Sequence, residues 1–189
     1  MHVRLPLATP SLEMIENPRT KVHQIELPAA SRLRSFYGRA DFADAFAVSL
    51  SEMAAGDAEV FARHIFAQQP EWIAILLKIR DILVQPLGLK RAVDLQAKGG
   101  DRISIFRVFE RHQDEIILGE EDRHLDFRVS VLVQPADQDR PRRLIVTTLV
   151  FYNRLLGRAY IALIAPFHRM VVRASLDRAR ELGWPTRQQ

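Results

Sequence analysis

Four runs of β-branched and aromatic residues, at 103–109, 115–118, 124–133 and 143–152, follow one another with only short polar turns between them. Parallel pairing needs a crossover of a dozen or more residues, which these turns cannot supply, so the runs predict an antiparallel meander. The stretch 158–182 then has helical periodicity and is closed by Gly183 and Pro185, a common stop signal. Pro166 lies inside it, removes the backbone bond to the carbonyl of Ala162 and predicts a kink. On a helical wheel Tyr160, Ile164, Phe167, Val171 and Ala174 form the face expected to pack. Arg158, Arg169, Arg173 and Arg180 form the opposite face, expected to be solvated.

Ahead of the meander the pattern predicts a short strand-like segment at 22–27 and a longer strand at 35–50, carried by Phe36, Tyr37, Phe42, Phe46 and Val48. Asp57 sits where an N-cap belongs, before Val60, Phe61 and Ile65 at helical spacing. Pro70 can open a second helix over 70–84, whose polar stripe is Glu71, Lys78, Asp81 and Gln85. Residues 1–20, with three prolines and no sustained period, are expected to form an arm in front of a single α+β domain at 21–189.

A chain of 189 residues, 48% hydrophobic and 26% charged, can bury one core with room for a sheet and several helices. It has no cysteine, which excludes a disulfide framework, a cysteine zinc site, an iron–sulfur cluster and a thiol nucleophile, and favours a reducing compartment. Met1–Pro10 holds no apolar stretch of signal-peptide length, and Leu144–Asn153 is too short to span a bilayer, so a cytoplasmic protein without a membrane span is expected. The net charge of +4 is mildly basic and comes without a base-reading motif, so no specific nucleic-acid partner is expected. There is no phosphate-binding loop, no Gly-x-Ser-x-Gly and no helical pair of histidines four apart. Neither cofactor nor metal is therefore expected.

The phrases Tyr37-Gly-Arg-Ala-Asp-Phe-Ala-Asp-Ala-Phe, Arg80-Asp-Ile-Leu-Val-Gln-Pro-Leu-Gly-Leu-Lys, Asp122-Arg-His-Leu-Asp-Phe-Arg-Val-Ser-Val and Pro166-Phe-His-Arg-Met-Val-Val-Arg resemble those of the DUF2867 family. The order of elements is similar to that of the START-like, or Bet v 1-like (SRPBCC), helix-grip fold. The resemblance implies an α+β fold in which a curved antiparallel sheet wraps a long C-terminal helix, with two shorter helices after the first long strand. Similar domains also follow a nucleotide-binding domain in longer proteins. This chain lacks Gly-x-Gly-x-x-Gly, so the resemblance implies no dinucleotide cofactor.

A few polar residues stand where the pattern asks for apolar ones. Arg80 falls on the helix face shared by Trp72, Ile73, Leu76, Leu77 and Leu83. A buried guanidinium must meet a carboxylate or an anionic ligand, and a carboxylate from Asp126, Asp122 or Glu120 is the favoured partner. In the run 124–131, Leu125, Phe127, Val129 and Val131 alternate with His124, Asp126, Arg128 and Ser130. The polar set reads either as a surface ladder of cross-strand pairs or, more sharply, as an acid/base pair of His124 and Asp126. His168 lies on the flank of the apolar face of the last helix. It either satisfies a strand carbonyl or points into a cavity with Tyr160.

The function expected first is a small-molecule-binding domain whose hydrophobic or amphipathic ligand meets Arg80, Tyr160, Phe167 and His168. The alternatives are a polyketide cyclase or dehydratase-like enzyme using His124, Asp126 or Tyr160 in the same cavity, and a non-catalytic interaction domain with a filled core. A cavity of about 300 Å³ or more keeps ligand binding in play.

Overall fold

The computed structural model describes residues 21–76, 100–122 and 125–186, the side chains at 155–161 and 163 excepted. Among these residues seven strands form one antiparallel sheet: β1 (His23–Ile25), β2 (Phe42–Ser49), β3 (Arg102–Ile103), β4 (Phe106–Arg111), β5 (Glu115–Glu121), β6 (Leu125–Gln134) and β7 (Arg143–Tyr152). Their spatial order is β1-β2-β7-β6-β5-β4-β3. The meander read from the sequence runs from β3 to β7, and β2 closes it by pairing along its whole length with β7, from Phe42 opposite Val150 to Ser49 opposite Arg143. With the curved sheet and the long C-terminal helix the architecture is α+β and helix-grip-like.

Helix α1 (Ala58–Ala67) starts where Asp57 accepts the Val60 backbone N–H at 3.0 Å, and residues 71–76 are helical again after Pro70. The remainder of the helix expected over 70–84 lies outside the described residues. Helix α2 (Leu155–Glu181) runs through Pro166 and ends at Gly183. Gly183 takes φ +84°, a left-handed conformation that costs a glycine little.

One face of the sheet presents Phe46, Val48, Ile116, Leu118, Val131, Leu144 and Val146 to Phe61, Ala62 and Ile65 of α1 and to Leu176 and Ala179 of α2. The other face is covered as well. Ala45, Ala47, Leu132 and Ile145 meet Ile25 and Leu27, while Leu33 and Tyr37 close over Ile117 and Leu149. Burial on both sides explains why β7 reads as an unbroken apolar run with Thr147 and Thr148 embedded in it.

Two expectations are corrected. The strand expected over 35–50 begins only at Phe42, because residues Arg32–Arg39 form a 3-10 helix. Ser31 caps that helix by accepting the Leu33 N–H at 3.1 Å, and of its two early aromatics Phe36 is exposed and Tyr37 donates its hydroxyl hydrogen to the Pro28 carbonyl. The packing stripe of α2 is also rotated from the one expected. Ser175, Leu176 and Ala179 are buried with Val172 packed beside them, whereas Phe167 is 50% exposed. Small side chains at 175 and 179 flank Leu176 and let it reach the sheet, so the contact centres on 172–179 and not on Phe167.

Candidate functional site

The even-numbered residues of β2 face α2, and that row reads Phe42, Asp44, Phe46, Val48. Asp44 is therefore a carboxylate set among apolar neighbours, and its side chain has no accessible surface. His168 of α2 approaches it, with Nε2 3.3 Å from Oδ1. Among the described residues the second oxygen, Oδ2, is buried without a hydrogen bond, and Nε of Arg169 stands 3.8 Å from it. That distance permits attraction but not a hydrogen bond. The His168 ring also meets Phe42 edge to face at 5.8 Å.

Next to this pair lies an open groove of about 520 Å³ between the edge of the sheet and the middle of α2. Gln24 of β1 and Phe46 of β2 form one side, and Pro166, Arg169, Met170, Arg173, Ala174 and Asp177 form the other. The guanidinium of Arg169 lies 5.7 Å from the centre of the Phe42 ring, and that of Arg173 lies 5.6 Å from the centre of Phe46. The aromatic faces hold both cations in place without occupying their N–H donors.

Of the residues singled out from the sequence, His168 is brought to a polar partner, although the partner is a carboxylate and not a strand carbonyl. Phe167 turns to solvent and does not line the groove. Asp126 is engaged locally: its Oδ1 accepts the Asp122 backbone N–H at 3.0 Å. Arg80, His124 and the Tyr160 side chain lie outside the described residues. Glu120, one partner considered for Arg80, receives a hydrogen bond from Arg102 at 3.0 Å.

The polar face of β6 is only partly the surface ladder expected. Arg128 pairs across to Glu121 at 2.6 Å and stacks on Phe109, but Ser130 is fully buried. Ser130 and Ser31 both donate to Oε1 of Glu115, each at 2.5 Å, while Oε2 accepts the Arg32 backbone N–H at 2.8 Å and Nη1 at 3.3 Å. Glu115 has no accessible surface. It fastens the start of the 3-10 helix to the sheet, on the face away from the groove.

Asp44, Arg169, Arg173 and Glu115 were not among the residues expected to matter. Asp44 had a readable signal, a charge at an apolar position of an alternating strand, the same kind of anomaly that drew notice to Arg80. The two arginines read as part of a solvated stripe because nothing local says that a groove lies beside them. Among the described residues no cluster of three or more histidine, aspartate or glutamate side chains could hold a metal ion, and no helix is long and apolar enough to cross a membrane.

A family model described as a protein of unknown function (DUF2867) matches residues 36–175, a span that takes in Asp44, His168, Arg169 and Arg173. No curated protein and no solved structure matches the chain.

Proposed function

The chain belongs to the DUF2867 family, and from that premise we propose that it is a small-molecule-binding domain whose ligand lies in the groove between β1, β2 and the middle of α2. The observation that carries this reading is the groove itself. Its volume of about 520 Å³ falls within the range of about 300–1,000 Å³ usual for ligand sites. Phe46, Pro166, Met170 and Ala174 give it apolar walls, and a few polar groups stand along them. Such a surface removes the apolar body of a ligand from water while fixing its orientation at one end.

Titration of the protein with decanoate and with decan-1-ol, followed by amide resonances, tests the reading. Saturable shifts should gather at Gln24, Phe46, Met170 and Ala174, and Met170→Trp, which fills the groove, should abolish them. Shifts that never saturate, or that map to the Glu115 face of the sheet, would refute it.

A second reading rests on Asp44 and His168. A carboxylate that orients an imidazole and supports its positive charge is the arrangement a general base needs. It suits proton abstraction next to a carbonyl, as in an enzyme of the polyketide cyclase or dehydratase type. Turnover of a bound polyketide thioester that His168→Ala removes without weakening binding would favour this reading over binding alone.

A further inference from the structure

We infer that the ligand of the groove carries an anionic end group, a carboxylate or a phosphate monoester, held between the guanidinia of Arg169 and Arg173. The inference rests on the groove being the binding site and adds the chemical class of what it binds. Arg169 and Arg173 are four residues apart on α2, so their side chains are neighbours on one helix face. Both stack on phenylalanine rings of β2. Among the described residues neither guanidinium makes a hydrogen bond. Among the described residues the carboxylate near Arg169 is Asp44, at 3.8 Å, and Arg173 makes no ion pair.

Two like charges at this spacing repel each other, and the usual remedy is an acidic residue between them. The acid that the sequence offers one turn further on, Asp177, lines the groove but stands 3.7 Å from Arg180 instead. The groove thus holds two oriented cations with free donors at one end and a carboxylate at the other. An anion is attracted at the Arg169–Arg173 end and repelled at the Asp177 end, which sets the direction of the ligand. Guanidinium donors lie in a plane and match the paired oxygens of a carboxylate or phosphate, so two of them can hold one such group by several charge-assisted hydrogen bonds. Asp44, behind Arg169 and closed to solvent, keeps that guanidinium in position without filling its donors.

Calorimetric titration of the full chain with decanoate, decyl phosphate and decan-1-ol tests this, since the three share one apolar body. The expected result is affinity at least tenfold higher for an anionic ligand than for the alcohol. Arg173→Ala should erase that advantage, bringing the anionic ligands down to the affinity of the alcohol for the same variant, while Arg173→Lys should restore part of it. A preference for decanoate over decyl phosphate would identify a carboxylate as the group recognised, and the reverse preference a phosphate. Both residues lie at the surface, so circular dichroism should confirm that the variants keep the fold. Equal affinity for all three ligands, or an Arg173→Ala variant that still prefers the anions, would overturn the anionic end group and leave the groove reading intact. Failure of all three to bind would overturn both.

Discussion

Replacing Glu115 tests whether one buried carboxylate holds the two layers of the outer face together. Glu115→Ala removes the acceptor of four polar contacts from a position without accessible surface. The donors do not fare alike. Arg32 keeps its pairing with Asp114 at 3.0 Å, and the Ser31 hydroxyl still accepts the Leu33 N–H, but the Arg32 backbone N–H and the buried Ser130 hydroxyl lose their acceptor. Hydrogen bonds to a charged group contribute about 1.5–3 kcal/mol each and do not add in a shared network, so a total near 3–5 kcal/mol is expected. Glu115→Gln keeps the shape: its amide oxygen serves the Arg32 N–H and its NH₂ meets hydroxyls that can accept, for a loss of about 1–2 kcal/mol. With a urea slope of about 2 kcal/mol/M, the alanine variant should unfold about 2 M earlier than the parent and the glutamine variant less than 1 M earlier. Two variants of equal stability, or an alanine variant within about 1 kcal/mol of the parent, would refute the clamp.

Other substitutions probe the packing and the charge network. A Cβ at Gly119 would stand 2.1 Å from the Phe127 carbonyl oxygen of β6, so Gly119→Ala should cost about 3 kcal/mol and lower the melting temperature in a circular dichroism scan; an unchanged melting point would mean the β5–β6 ladder is looser than described. Arg111 bonds both Glu59 of α1 and Asp101, and holds both carboxyls below the usual carboxylate range, while burial opposes the lowering of Asp114 but Arg32 outweighs it. Groups whose folded pKa is depressed stabilise the fold above their unfolded pKa of about 4 and stop doing so as pH falls through the folded values. The urea midpoint should therefore fall from pH 5 downward, and less steeply for Arg111→Met; parallel curves would contradict this. His64 bonds the Ala179 carbonyl at 3.1 Å and packs on Trp184, so His64→Ala should cost about 1–2 kcal/mol and red-shift indole emission, and an unchanged spectrum would show that the α1–α2 contact does not depend on it.

The meander was legible because its information is local: apolar runs, short turns and two-residue alternation all point the same way. Asp57, Pro70 and Gly183 were legible for the same reason, each marking a helix end by its own chemistry. The 3-10 helix was not, because Phe36 and Tyr37 are good strand formers and what bends the chain there is Glu115, a residue far along the sequence. The face of α2 was misjudged in the same way. Periodicity counts bulk, and Ser175 and Ala179 are buried because they are small. At the site, His168 is visible as a polar residue beside an apolar face, but its partner, Asp44, lies on a strand far away in the sequence, and nothing local joins the two. The groove is a product of how β1, β2 and α2 meet, and no stretch of sequence contains it.

The register that joins β2 to β7 also orders events in time. The strands from β3 to β7 pair with neighbours close in the chain, whereas β2 has only the short β1 nearby and finds its full-length partner among the last residues before α2. Closing so large a loop before any contact rewards it slows folding, and the delay falls on one step. While a chain is being synthesised, β2 emerges early, and the Phe42 and Phe46 rings wait for His168, Arg169 and Arg173 of α2, which is made last. The half of the molecule that carries the groove is thus the last to assemble, and Asp44 waits for His168 as long as Phe46 waits for its neighbours.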